Sequence, residues 1–132
     1  MKAVSGIDSQ GRPRHGPYQE RFKNGNLACE GEFDQGRKTG LWTYYLSNGN
    51  VKAVGAYRDD TIVGEWRWHR DNGELMQTGS FDAAGEKHGR WCRYYPNGKL
   101  MDERSFERGK RTGLWTTYDE TGTIAKTKNF RL

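Results

Sequence analysis

The groups in this 132-residue chain that could carry acid–base, nucleophilic or metal chemistry are few and badly spaced for it. His15, His69 and His88 form no His-x-x-x-His pair, and Cys29 and Cys92 form no Cys-x-x-Cys pair, so the spacing that lets neighbouring side chains share a metal ion is missing. Two cysteines are too few for a disulfide framework and read as small semi-buried hydrophobes in a reducing compartment. Ser5, Ser9, Ser47, Ser80 and Ser105 lie outside any nucleophile-elbow context, and no Walker-type phosphate loop occurs. The 17 carboxylates are scattered, so a pair drawn from them carries no information. A catalytic constellation breaks repeat symmetry at one deep site, and the sequence shows no such break. The expectation is a chain that is not an enzyme and uses no metal or cofactor.

Binding chemistry has more support. Arg21, Tyr45, His69, Tyr94 and Tyr118 recur at steps of 24, 24, 25 and 24 residues. In tightly paired hairpins they would oppose Ala28, Lys52, Met76, Met101 and Ala125. Tyr, Met and Arg are favoured at protein interfaces. A stripe of Arg21, Tyr45, His69, Met76, Tyr94, Met101 and Tyr118 on one face is therefore the first candidate partner-binding surface. Its alternative role is stacking between repeats. A second candidate is cationic. Arg12 and Arg14, Arg37 and Lys38, Lys87 and His88, then Arg108, Lys110 and Arg111 occupy the turns between repeats, with a break at Asp59-Asp60. Such a ladder could meet an anionic partner or simply be solvated.

These columns need a repeated element to hold them. Gly16, Gly40, Gly64, Gly89 and Gly113 are each followed two positions on by Tyr18, Trp42, Trp66, Trp91 or Trp115. A second glycine follows at Gly25, Gly49, Gly73, Gly98 and Gly122, after Asn24, Asn48, Asn72, Asn97 or Thr121. An aliphatic comes next (Leu27, Val51, Leu75, Leu100, Ile124), and each unit closes on Phe33, Tyr57, Phe81, Phe106 or Phe130. Asn-Gly between aromatic and β-branched runs signals a hairpin with a two-residue type I′ turn. On that register Trp42 opposes Gly55, Tyr44 opposes Ala53, and Leu46 opposes Val51. A glycine opposite each indole leaves room for the ring to lie across its partner strand. Arg104 and Lys128 replace that glycine opposite Trp91 and Trp115, where a cation could cover the ring instead. Arg93 faces Asp102 as a cross-strand charge pair. Trp42, Trp66, Trp91 and Trp115 are thus read as buried structural residues, and Gly49, Gly73 and Gly98 as turn residues.

The fold class expected is all-β, an elongated antiparallel meander of about eleven strands made from five repeated β-hairpins in a solenoid-like sheet. One domain, 1–132, holds units at about 11–34, 35–58, 59–82, 83–107 and 108–132, preceded by an orphan strand at 2–7 with Ile7 in the closing-aromatic column. The extra residue of the 25-residue step falls in the turn Asp82–His88, where added length costs little. Leu, Ile, Val and Phe make only 19 of the 132 residues, a level at which disorder is a fair suspicion, but five Trp and seven Tyr argue for a thin aromatic core. The net charge of +5 comes from interspersed signs, without the basic stripe of a dedicated nucleic-acid binder. No apolar run suits a signal peptide or a membrane span, so a cytoplasmic location is expected.

The phrase Gly89-Arg90-Trp91-Cys92-Arg93-Tyr94-Tyr95-Pro96-Asn97-Gly98-Lys99-Leu100 resembles the bacterial variant of the MORN repeat. The resemblance covers about residues 11 to 130, with Tyr18 and Thr121 departing from the motif in the end units. Stand-alone proteins of this variant resemble an antitoxin or immunity family (YwqK-like). That resemblance implies a stoichiometric 1:1 binder that sterically neutralises a cognate bacterial toxin. Other MORN proteins are associated with membrane and phosphoinositide binding or with scaffolding, so a peripheral anionic-lipid-binding or scaffolding module is the alternative.

Overall fold

The computed structural model describes residues 4–130, which form one ten-stranded antiparallel sheet in which each strand pairs with the next in sequence. The strands are β1 (Gly16–Arg21), β2 (Leu27–Asp34), β3 (Arg37–Tyr45), β4 (Val51–Arg58), β5 (Thr61–His69), β6 (Leu75–Phe81), β7 (Lys87–Tyr94), β8 (Leu100–Glu107), β9 (Lys110–Tyr118) and β10 (Ile124–Phe130). The five hairpins of the repeat are therefore present, with ten strands instead of about eleven. The strand expected over 2–7 falls partly outside the described residues. In its described part the chain makes a single bridge, Ile7 to Pro13, and Ile7 is exposed, not buried with the closing aromatics.

The hairpin tips do not take the expected turn. At the hairpin tips the Leu46 N–H donates to the Asn50 carbonyl and the Gly49 N–H to the Leu46 carbonyl, with φ of 94° at Gly49. This is a three-residue loop closed by a type I turn and a glycine bulge, not a type I′ turn. Among the described residues, positive φ at non-glycine positions occurs at Gln35, Asp59, Asp60 and Arg108, all between hairpins. There Asp34 pairs with Arg37, Arg58 with Thr61 and Glu107 with Lys110 across two-residue turns, the tight geometry expected at the tips. The longer turn at Asp82–Glu86 takes the tip geometry instead, which accommodates the extra residue.

Asparagine at the tip has another use. Asn48 accepts a hydrogen bond from the Asn50 N–H through Oδ1, and its Nδ2 donates to the Asp71 carbonyl of the next tip. Asn24 reaches the Ser47 carbonyl and Asn97 the Glu120 carbonyl in the same way. At the other edge the Asp60 carboxylate accepts from the Lys38 N–H at 2.7 Å, and the Gly109 N–H donates to the Lys87 carbonyl. Both long edges are thus laced from repeat to repeat.

A sheet with no second layer must bury its apolar face within the face itself. In the N-terminal units this is done by rings. Trp42, Trp66 and Trp91 are at most 2% exposed, and Phe33 is 2% exposed. The closing aromatics meet them edge-on: Phe33 to Trp42 at 5.1 Å and 81°, Tyr57 to Trp66 at 5.3 Å and 85°, Phe81 to Trp91 at 5.2 Å and 87°. Tyr44 and Trp68 stack beside this spine. Edge-to-face pairs add about 0.5–1.5 kcal/mol each beyond the area they bury, which is how so few aliphatic residues suffice.

The glycine column works one hairpin away from where the pairing alone puts it. Trp42 pairs with Gly55 as expected, but its ring lies over Gly31 of the preceding hairpin. Trp66 covers Gly55, and Trp91 covers Gly79. The cause is the bulge between hairpins. Gly40, with φ of 68°, lets β3 place three residues opposite Gly31 and swings the indole back over it. The indole N–H then donates to the carbonyl just after the covered glycine: Trp42 to Glu32, Trp66 to Ala56, Trp91 to Ser80. Arg104 likewise lies 5.9 Å from the Trp115 ring instead of covering Trp91, and Lys128 lies over Phe130 instead of Trp115.

Candidate protein-binding surface

The stripe begins on the face opposite the Trp spine. The tip bulge shifts its pairing by one residue, so Arg21, Tyr45, His69, Tyr94 and Tyr118 pair with Leu27, Val51, Leu75, Leu100 and Ile124. The expected partners Ala28, Lys52, Met76, Met101 and Ala125 sit one position further along, and Leu46 enters the tip loop instead of opposing Val51.

Several stripe side chains are tied down. Arg21 Nη1 donates to the Gly25 carbonyl at 2.9 Å, and His69 Nδ1 lies 3.1 Å from the equivalent Gly73 carbonyl. The Tyr118 hydroxyl donates to Glu103 at 3.0 Å; that hydrogen bond, then burial, holds its pKa above the ordinary value. Burial, followed by the charge of Glu30, raises Tyr45 in the same sense. Glu30 and Glu103 are equivalent positions one hairpin upstream, so these two tyrosines are tied to the preceding repeat through a glutamate and not by stacking on one another. Tyr94 has Thr78 where the others have a glutamate, and it packs beside the buried Cys92.

Other stripe atoms remain open. Met76 is 37% exposed, and Met101 is half-buried. Met76, His69, Lys52 and Leu46 line a shallow depression of about 500 Å³ between the second and third hairpins. Lys52 was expected opposite Tyr45 and stays beside the stripe although its pairing shifts, while Leu46 joins it from the tip loop. Oriented carbonyls, a thioether, an imidazole and an ammonium in one hollow suit a protein side chain better than a reaction. Among the described residues no group of three or more His, Cys, Asp or Glu is placed to hold a metal ion.

The cationic ladder divides in two. Lys38 lies over Trp42 and Tyr57 at 5.4 and 5.0 Å, Lys87 over Trp91 and Phe106 at 4.9 Å each, and Arg111 over Trp115 and Phe130 at 5.3 and 5.4 Å. Burial lowers the Lys87 pKa, with the charge of Arg104 adding to it. Arg37, Arg108 and Lys110 remain exposed in the turns. The column over the rings is interrupted by Ile62, which packs against the core, while the expected break at Asp59-Asp60 is a tight turn in the lacing.

No helix among the described residues is long and apolar enough to cross a membrane. Curated proteins give no significant match to the chain. The family model described as the MORN repeat variant matches residues 14–35, 38–59, 87–108 and 111–131, more than half of the chain. The third hairpin, β5–β6, lies outside those matches but has the same glycine, indole and tip geometry. In sequence and in fold, the chain belongs to the MORN repeat variant family.

Proposed function

We propose that this protein is a non-enzymatic protein-binding module, an immunity protein or antitoxin that docks on a partner toxin and blocks it sterically in a 1:1 complex in the bacterial cytoplasm. The observation that carries the binding reading is the half-open stripe on the outward face, with exposed Met76 in a hollow between His69, Lys52 and Leu46. Hydrogen bonds at both edges hold that stripe rigid, so little ordering is lost on docking. The toxin-directed part rests on the resemblance to stand-alone immunity proteins and goes further than the family membership itself.

The test is whether the reading frame beside this gene encodes a toxin domain and whether its product binds, by titration calorimetry, to the wild type and to Met76→Ala, Tyr94→Ala and Met101→Ala. Loss of about tenfold or more in affinity, with unfolding midpoints unchanged, supports the stripe. Unchanged binding by all three variants rejects it. The anionic-lipid alternative is weaker, because Lys38 and Lys87 of the basic ladder are half-buried over rings. Binding to anionic vesicles that falls steeply with salt would restore it.

A further inference from the structure

The Trp face changes character along the chain. In the first three hairpins the column beside each indole is Gly31, Gly55 and Gly79; in the last two it is Arg104 and Lys128. The neighbouring row runs Tyr44, Ala53 and Trp68 early on, then Arg93, Asp102, Thr117 and Lys126. Ring packing loosens with it. The edge-on angles of 81–87° become 55° for Phe106 with Trp115 and 53° for Trp115 with Phe130. Trp115 and Phe130 are half-buried where Trp42 is fully buried.

Cations surround these two rings. Arg104 and Arg111 approach Trp115 at 5.9 and 5.3 Å, and Lys128 approaches Phe130 at 5.0 Å. Asp102 is the buried carboxylate among them and is taken by Arg93 at 2.9 Å, with Arg104 Nε 3.5 Å away. Among the described residues, Arg111, Lys126 and Lys128 form no ion pair, and the two lysines are exposed. Arg104 stands where a glycine would lie under Trp115 and is held by Asp102, whereas Arg111, Lys126 and Lys128 add positive charge around half-buried rings with no carboxylate to balance it, an arrangement that suits an anionic partner.

We propose that the C-terminal half of the Trp face, centred on Trp115 with Arg104, Arg111, Lys126 and Lys128, docks an acidic, extended segment of a partner protein. This surface is independent of the outward stripe. Carboxylates of the segment take the cations, and an apolar side chain covers the indole as those cations move toward it. The patch spans β8–β10, about 10 Å at the usual strand spacing, which suits a short peptide. Exposed Glu107 at the end of β8 and Glu120 in the tip loop after β9 would repel a broad anionic surface such as a membrane or a long nucleic acid, but leave a short segment room.

The test uses a synthetic peptide of about twelve residues, rich in Glu and carrying two Leu, with a Gln-for-Glu peptide as control. Binding is followed by the Trp115 indole N–H resonance, assigned with Trp115→Phe. The expected result is a saturable shift of that resonance with the acidic peptide only. Affinity should fall about tenfold in Lys126→Glu/Lys128→Glu and less than about twofold in Arg37→Glu/Arg108→Glu. Three results overturn the proposal: no shift, equal losses in both double variants, or tighter binding of an equally charged oligonucleotide or anionic vesicle than of the peptide.

Discussion

Gly55→Ala is the sharpest perturbation of the spine. A Cβ at Gly55 would lie 2.0 Å from Cδ2 and 2.2 Å from Cε2 of Trp66, against an ordinary contact of 3.4–4 Å, so the ring must retreat by more than an ångström. It has nowhere easy to go. Trp66 is 1% exposed, meets Tyr57 at 5.3 Å and Trp68 at 6.1 Å, and donates its indole N–H to the Ala56 and Val63 carbonyls at 3.2 Å. Overpacking of this kind costs about 1–3 kcal/mol, and loss of the indole hydrogen bond adds about 0.5–1.5 kcal/mol. Alanine's advantage over glycine in a strand returns about 0.5–1 kcal/mol. The net expectation is a destabilisation of about 2–3 kcal/mol, read from urea unfolding of the purified chain. A double-mutant cycle identifies the partner. In a Trp66→Leu background the penalty should shrink to under about 0.5 kcal/mol, whereas Trp42→Leu should leave it intact. If Trp42→Leu relieves it instead, the ring lies across its own hairpin and the account of the bulge is wrong. A Gly55→Ala variant as stable as wild type would refute the close approach altogether.

Three further outcomes follow from the same geometry. Asp102→Ala should cost about 2–3 kcal/mol in urea unfolding, because it leaves Arg93 and Arg104 together without their carboxylate; the half-exposed Arg93 keeps the loss below that of a fully buried pair. Asn48→Ala removes the link to the Asp71 carbonyl and the cap on the Asn50 N–H, and should cost about 1 kcal/mol with no change in far-UV circular dichroism. The Tyr44 hydroxyl is buried and shares a 2.9 Å hydrogen bond with Tyr57; burial first, then that bond, pushes its pKa far above the tyrosine range. The folded state holds this proton more tightly than the unfolded chain does. Stability is therefore complete below about pH 10 and falls as the pH rises beyond it, and Tyr44→Phe should flatten that alkaline fall.

The strands, their order and the interior register were legible because five columns repeat in phase: Trp42 with Gly55, Tyr44 with Ala53 and Arg93 with Asp102 all pair as read. The tip turn was misread for one reason. Asn-Gly usually signals positive φ at both residues, but here Asn48 spends its side chain on the next tip and leaves positive φ to Gly49 alone. The tight turns fall on Gln35-Gly36, Asp59-Asp60 and Arg108-Gly109, where only the glycine of the first and third pairs is an obvious signal. The bulge at each tip then moved the stripe's partners by one residue, and the bulge between hairpins moved each indole back by one hairpin. Neither shift leaves a mark in residue periodicity, since every repeat carries it equally. The loosening around Trp115 was visible in part, as Arg104 and Lys128 in a glycine column, but what it does to ring angles and exposure is a matter of packing.

The reading of the outward stripe as the partner-binding surface is tested most directly by methionine oxidation with and without a partner protein co-purified from the native host. Met76 and Met101 report on the stripe itself. The expected result is peroxide oxidation of both, measured by mass spectrometry, slowed about tenfold or more at saturating partner. Unchanged oxidation of Met76 in a complex shown to be intact would contradict the account.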